Sequence, residues 1–226
     1  MNNLQKMGGV AALLEAILYV SAFIFFGVFL AFPSQAGMME TLAFLKENQT
    51  SLMMVNFFIY IVFGTFLVVL VLALHDRIKN ENVVLMQVSS IFGSLWAGMV
   101  IACGMIKNIG LGAVIELSLK QPEQALSLWL TVTTITEGLG GGNEIVGGLW
   151  VLLLSIAARK NKSLPNKLIY LGLFVGLAGV CTVYPIEILT AVFGLSQILW
   201  FAWLALILLT EPEREVSAGC NTILEN

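Results

Sequence analysis

The stretch EGLGGGNEIVGGLWVLLLSIAA, residues 137–158, places four glycines between the carboxylates Glu137 and Glu144, directly before an apolar run. Glycine has no Cβ and loses much entropy on ordering, so this composition predicts a bend or a close backbone contact rather than a regular helix. The apolar run after the bend is short for a membrane span. The junction between this polar bend and the apolar run is the first place to look for a site.

Long apolar runs make up most of the remaining chain. Hydrophobic residues occupy 58% of the 226 positions and charged residues 11%, whereas soluble domains contain about 25% charged residues. A bilayer core requires about 20 helical residues. The predicted spans are residues 7–32, 52–74, 83–106, 142–158, 168–184 and 188–209. The sequence therefore predicts an all-α polytopic membrane protein, a six-transmembrane-helix bundle forming a single domain over residues 1–226, with the lipid bilayer as its surroundings.

Residues 122–137 predict one extra helix on the outer side, before the fourth span. Pro122 and Glu123 suit a first helical turn, and Gly138 suits the position just after a helix end. The apolar core of this helix is only about half as long as a span requires. Two interpretations stay open: an interfacial helix on the membrane surface, or a re-entrant helix that dips inward and turns back at the glycines.

The basic residues indicate the orientation of the bundle. With six spans and a cytoplasmic N-terminus, the cytoplasmic segments hold eight basic residues, and the outer segments hold Lys46, Lys107 and Lys120. This asymmetry follows the positive-inside rule. Counting residues 122–137 as a seventh span would move four of the eight to the outside. We therefore expect six spans, with both the N- and C-termini in the cytoplasm.

Several functional classes receive no support from composition or motifs. A net charge of −3 argues against a nucleic-acid partner. The widely spaced Cys103, Cys181 and Cys220 predict neither a disulfide nor a metal site. No metal-ligand spacing, glycine-embedded serine or paired carboxylates mark a catalytic centre. We expect no catalytic residue, metal or cofactor, and an enzyme is the less favoured class.

Polar residues near the outer ends of the spans are the candidates for ligand binding. They are Asn56, Lys107, Asn108, Asn143, Glu144 and Glu187. Glu15 is a further candidate, which lies either below the cytoplasmic surface within the first span or at that surface. The outer residues are either wetted helix ends or the wall of a polar chamber that opens outward. Because Lys107 ends the third predicted span and Glu144 opens the fourth, we expect these two side chains to form an ion pair.

Small residues recur within the spans, as at Gly172 and Gly176. Such residues let helix backbones approach closely, and contact within the bundle is the favoured interpretation. The same pattern serves contacts between subunits, so a homo-oligomer or a partner membrane protein stays open.

The run GGGNEIVGGLW at residues 140–150, together with six spans and a long outer connection before the fourth, resembles a family of bacterial membrane proteins known only as a domain of unknown function. The similarity covers nearly the whole chain. It implies a bacterial cytoplasmic (inner) membrane protein without an assigned activity, and hence no catalytic residues to carry over.

These observations lead to two hypotheses for function. The first is a non-enzymatic bundle that binds or passes a small molecule through an outward-facing polar pocket between spans three, four and six. The second is an accessory or sensory membrane protein that acts through helix contacts with a partner protein.

The charge asymmetry generates a test of topology. Reporter fusions placed after Thr210 and within residues 161–165 should both report a cytoplasmic location, because six spans put both points on the basic side. A periplasmic signal at either fusion contradicts the six-span arrangement.

Overall fold

The computed structural model describes residues 3–29, 37–79, 82–141, 143–159 and 163–211, and these form an all-helical bundle without strands, as predicted. The helices are α1 (Asn3–Ile24), α2 (Met38–Glu47), α3 (Gln49–Asn56), α4 (Phe63–Ile78), α5 (Val83–Ser118), α6 (Pro122–Thr136), α7 (Ile145–Ala157), α8 (Asn166–Cys181) and α9 (Glu187–Thr210). Three π-helical turns extend α1, join α3 to α4 and follow α6, at Phe25–Phe29, Phe57–Val62 and Glu137–Gly141.

Several helical stretches have the length and composition of membrane spans. Five of them in the described ranges are long and apolar enough to cross a membrane: Asn3–Val28, Gln49–Ile78, Val83–Ser118, Pro122–Ala157 and Glu187–Thr210. α8 is also apolar but has only 16 residues. Apolar side chains on the outside of the bundle, such as Leu72, Ile91 and Leu199, are more than half exposed. This arrangement is typical of a membrane protein, in which lipid replaces water around the helices.

The connections between the first and second and between the third and fourth predicted spans contain more helix than the sequence predicted. α5 does not end near residue 106 but continues to Ser118, and α2 was not expected at all. Leu42 and Leu45 of α2 are buried against Leu111 and Val114 of α5, in a small core that also includes Ala125 of α6. This burial stabilises α2 and the C-terminal part of α5, whose helical structure the local sequence did not predict.

α6 and α7 run one after the other along α5, in the direction opposite to α5. The contacts, in order, are Gly110 with Val132, Cys103 with Thr136, Trp96 with Gly147, and Gly93 with Trp150. The chain therefore keeps its direction through the bend and does not turn back at the glycines. Within the described part of the bend, Gly140 has a positive φ of 128°, a conformation that glycine adopts without steric cost. Gly142, predicted to share this role, lies outside the described residues.

The centre of the bundle is filled by aromatic side chains. Trp96, Trp150 and Trp200 are each at most 1% exposed. The ring centroids of Trp96 and Trp150 are 5.8 Å apart, and those of Trp150 and Trp200 are also 5.8 Å apart. Aromatic pairs of this kind contribute about 0.5–1.5 kcal/mol beyond the area that they bury. They hold α5, α7 and α9 at fixed separations.

α7 and α8 touch through their backbones. A Cβ added at Gly148 would lie 2.6 Å from the backbone nitrogen of Val180, and one at Gly176 would lie 2.6 Å from that of Leu152. The predicted use of small residues for packing within the bundle is therefore confirmed at this interface.

This contact predicts the effect of a single methyl group. Gly148→Ala should lower the free energy of unfolding by about 1–3 kcal/mol, because the new Cβ overlaps backbone atoms that cannot rotate away. Gly98→Ala is the matched control, since a Cβ at Gly98 of α5 meets nothing within 4 Å. Thermal unfolding of the detergent-solubilised protein measures both changes. Equal stability of the two variants would contradict the close contact.

Candidate functional site

A cavity of about 440 Å³, which we call the inner pocket, lies between α1, the turn before α4, α5, the start of α7 and α9. Its volume is within the range of about 300–1,000 Å³ found for small-molecule sites. The lining is mostly apolar and aromatic, with one ionisable acid. The lining residues are Leu18, Tyr19, Ala22, Phe23, Phe26, Gly27, Ile59, Tyr60, Phe63, Trp96, Val100, Gly140, Glu144, Thr190, Phe193 and Gly194. Thus spans one and two line the pocket, in addition to the predicted spans three, four and six.

Glu144 is held in the wall of the inner pocket by three neighbouring elements. Its backbone N–H donates to Thr182 Oγ1 at 2.8 Å, and its carbonyl oxygen accepts the N–H of Gly148 at 2.8 Å. The carboxylate Oε2 accepts from Trp96 Nε1 at 3.0 Å, and Glu144 is only 8% exposed. A buried hydrogen bond of this kind restricts the rotation of the side chain that accepts it. The side chain is therefore fixed before any ligand arrives.

The carboxylate of Glu144 has no cationic partner in the described part of the chain. No lysine, arginine or histidine there lies within salt-bridge distance of it, and the ion pair that those residues do contain joins Lys79 to Asp76. An unpaired buried charge costs several kcal/mol. Glu144 is therefore matched either by a proton or by a positively charged group that enters the pocket.

Aromatic rings form the rest of the inner wall. The centroids of Tyr19 and Phe63 are 5.3 Å apart, those of Phe63 and Trp96 are 5.8 Å apart, and those of Trp96 and Phe193 are 6.4 Å apart. Phe63, Trp96 and Phe193 are at most 4% exposed. Because each ring is packed against others, this wall is rigid and preformed.

A second cavity of about 740 Å³, the outer pocket, adjoins the inner one, since Phe23 and Thr190 line both. Its lining contains Glu137, Asn143 and Glu187, and no lysine or arginine among the described residues. Glu187 is exposed to the surroundings. The outer pocket is therefore a mostly apolar cavity with acidic side chains in its lining, next to the aromatic inner pocket.

Three of the predicted candidates, Asn56, Lys107 and Asn108, are not in the lining of either pocket, although Lys107 contacts Tyr60, which lines the inner one. Asn56 Nδ2 donates to Asn108 Oδ1, and Asn108 Nδ2 donates to the carbonyl oxygen of Met53, each at 3.1 Å. These bonds join α3 to α5. Lys107 Nζ donates to the Tyr60 hydroxyl at 2.9 Å and lies 4.9 Å from the centroid of that ring. Because their amide groups are hydrogen-bonded in this way, Asn56 and Asn108 hold α3 and α5 together.

The expected ion pair between Lys107 and Glu144 is wrong. α5 remains helical past residue 106 and α7 runs antiparallel to it, so Trp96 lies opposite Glu144. Lys107 is eleven residues further along the same helix, a rise of about 16 Å. Glu144 therefore lies much deeper in the bundle than a helix end at the level of Lys107.

Glu15 is fully buried in α1, one helical turn before Tyr19. Neither carboxylate oxygen has a hydrogen-bond partner among the described residues. The alternative of a wetted surface position for Glu15 therefore does not hold. Glu15 is absent from the lining of the inner pocket, but Tyr19, which does line it, interacts electrostatically with both Glu15 and Glu144.

The aromatic residues of the pocket were missed by the reasoning from sequence. One signal was available, because Trp96 falls in the middle of a predicted span, whereas tryptophan is enriched at membrane interfaces. A buried indole N–H needs an acceptor, which indicated a polar partner deep in the bundle.

Comparison with family models, with curated proteins and with solved structures finds no match to this chain. The function is therefore argued from the chemistry of the site alone.

The geometry predicts which partner of Glu144 is energetically coupled to it. In a double-mutant cycle, Trp96→Phe and Glu144→Leu should show a coupling of about 0.5–3 kcal/mol, the range from a hydrogen bond between neutral groups to one with a charged group. Lys107→Met and Glu144→Leu should add within about 0.5 kcal/mol, since the two side chains share no contact. Unfolding free energies in detergent give both cycles. A larger coupling for the lysine cycle would contradict the structure.

Proposed function

We propose that this protein binds a small molecule in the inner pocket and admits it through the outer pocket. The observation that carries the proposal is the buried carboxylate of Glu144, oriented in advance by Trp96 in the wall of a 440 Å³ aromatic cavity. Sites that bind small molecules combine an apolar wall with a few fixed polar groups, and this cavity has both.

The proposal includes the arrangement in the membrane. We place six spans in a bacterial cytoplasmic membrane, as the family resemblance implies, with both termini in the cytoplasm. α8, with 16 residues, rises about 24 Å and crosses with help from its flanking residues or local bilayer thinning. α5, with 36 residues, rises about 54 Å, well beyond the hydrocarbon core. Its C-terminal part, α6 and α2 would then stand above the outer surface of the membrane.

Binding from the outer side fits the packing better than free passage does. In the cytoplasmic half, a Cβ at Gly8 of α1 would lie 2.3 Å from Cβ of Ala73, and one at Gly9 would lie 2.7 Å from Leu209. Among the described residues, these contacts leave no gap between α1 and its neighbours α4 and α9 at this level. Transport would therefore require α1 to separate from α4 and α9.

A substitution that fills the pocket tests the proposal. Gly27 is exposed and lines the inner pocket, and a Cβ there meets nothing within 4 Å, so the first carbon of a leucine side chain at this position displaces no packed atom. We expect Gly27→Leu to fold normally and to weaken ligand binding at least about tenfold, a loss of about 1.4 kcal/mol. Gly98→Leu is the matched control, because Gly98 is exposed on α5 away from the pocket.

Binding is measured as the rise in melting temperature with three aromatic probes of similar shape: tetraphenylphosphonium, triphenylphosphine oxide and tetraphenylborate. At least one probe should stabilise the unmodified protein and Gly98→Leu more than Gly27→Leu, because a ligand that binds the native state raises its stability. If no probe distinguishes the two leucine variants, the pocket is not a binding site.

A further inference from the structure

We propose that the ligand of the inner pocket is a lipophilic organic cation, whose positive charge is shielded by or spread over apolar groups. This inference rests on the proposed binding function and specifies its ligand class. It follows from the charge of the two pockets, from the aromatic wall and from the scarcity of hydrogen-bonding groups around Glu144.

The charged side chains that line the proposed entry route have one sign, and the cation of Lys107, which contacts Tyr60, lies outside that lining. Glu137 and Glu187 line the outer pocket and Glu144 lines the inner one, while the described lining of either pocket contains no lysine, arginine or histidine. A cleft with low-dielectric walls and charges of one sign concentrates ions of the opposite sign. Anions are repelled along the same route. A cation that reaches Glu144 also removes the cost of its unpaired charge.

The aromatic wall favours a cation of a particular kind. The faces of tryptophan and tyrosine rings attract positive charge within about 6 Å, and more strongly when water is excluded. Tyr19 and Trp96 line the same cavity as Glu144, and Trp96 donates to that carboxylate. The ring of Tyr60 is already in contact with the ammonium group of Lys107. The bound cation would therefore lie against Tyr19 and Trp96, away from Tyr60.

The same surroundings disfavour inorganic cations and strongly hydrated amines. The described residues contain no cluster of three or more metal-ligating side chains. A hard cation such as Mg²⁺ or Ca²⁺ exchanges its hydration shell for several oxygen ligands, which a single carboxylate among aromatic rings does not supply. A compact ammonium is likewise strongly hydrated. A cation with apolar substituents loses little hydration on entry and buries its substituents against the rings.

The test compares three probes that differ chiefly in charge, with melting temperatures of the detergent-solubilised full chain measured against probe concentration. Tetraphenylphosphonium should bind at least about tenfold more tightly than neutral triphenylphosphine oxide, and tetraphenylborate should bind most weakly, as the charge on Glu144 dictates. This order is measured on the unmodified protein and does not depend on any variant folding.

Glu144→Gln then tests the carboxylate itself. Glutamine retains an oxygen that accepts the N–H of Trp96, so the wall keeps its hydrogen bond while it loses its charge. Affinity for tetraphenylphosphonium should fall at least about tenfold, and that for triphenylphosphine oxide should change by less than about threefold.

The outcomes separate this inference from the proposed function. If the neutral probe binds as tightly as the cation, or if Glu144→Gln leaves cation binding unchanged, the ligand class is wrong. In that case the pocket is still a binding site if Gly27→Leu loses binding and Gly98→Leu keeps it. If no probe distinguishes the two leucine variants, the proposed function fails and the cation inference fails with it.

Discussion

The hydrogen bond from the indole of Trp96 to the carboxylate of Glu144 joins the polar chemistry of this protein to its apolar core. Trp96 belongs to the stack of tryptophans between α5, α7 and α9, and Glu144 precedes the first turn of α7. Each group would be costly to bury alone, and together they satisfy one another. Because Thr182 binds the backbone of Glu144, α8 is tied to the same point. The position of the carboxylate is thus determined by three helices.

Backbone contact between α7 and α8 allows this arrangement in a bundle whose fourth and fifth apolar segments are short. At Gly148 and Gly176 the helices approach so closely that a single Cβ on either would overlap its neighbour. Upstream, the positive φ of Gly140 interrupts the helix, while α6 and α7 both stay in contact with α5 and follow the same direction. Unusual backbone conformation of this kind is tolerated at membrane depth only where protein surrounds it. The wall of the inner pocket supplies these surroundings.

Polarity changes along the axis of the bundle. Acidic residues line the outer pocket, aromatic rings and Glu144 line the inner pocket, and tightly packed small residues close the helices below. Glu15 lies fully buried one helical turn before Tyr19, so a second carboxyl group is present close to the inner pocket but outside its lining. Charged groups inside such bundles are commonly functional, since they are costly to retain otherwise. This order of groups supports the proposal that a positively charged ligand enters through the outer pocket.

The sequence by itself determined the helical class, the apolar segments and the bend, because length, hydropathy and glycine content act locally. It also singled out Glu144 as an unusual carboxylate. The hydrogen-bond partner of Glu144 was decided by tertiary structure alone. In the sequence, a polar residue such as Lys107 is compatible both with the end of a span and with a longer helix. The burial of α2 against α5 and α6 stabilises the longer helix. Because α5 is longer than predicted, Trp96 lies opposite Glu144, where the sequence had predicted Lys107. The aromatic pocket likewise depends on residues far apart in the chain, such as Tyr19 and Phe193, whose proximity follows from helix packing and leaves no local pattern.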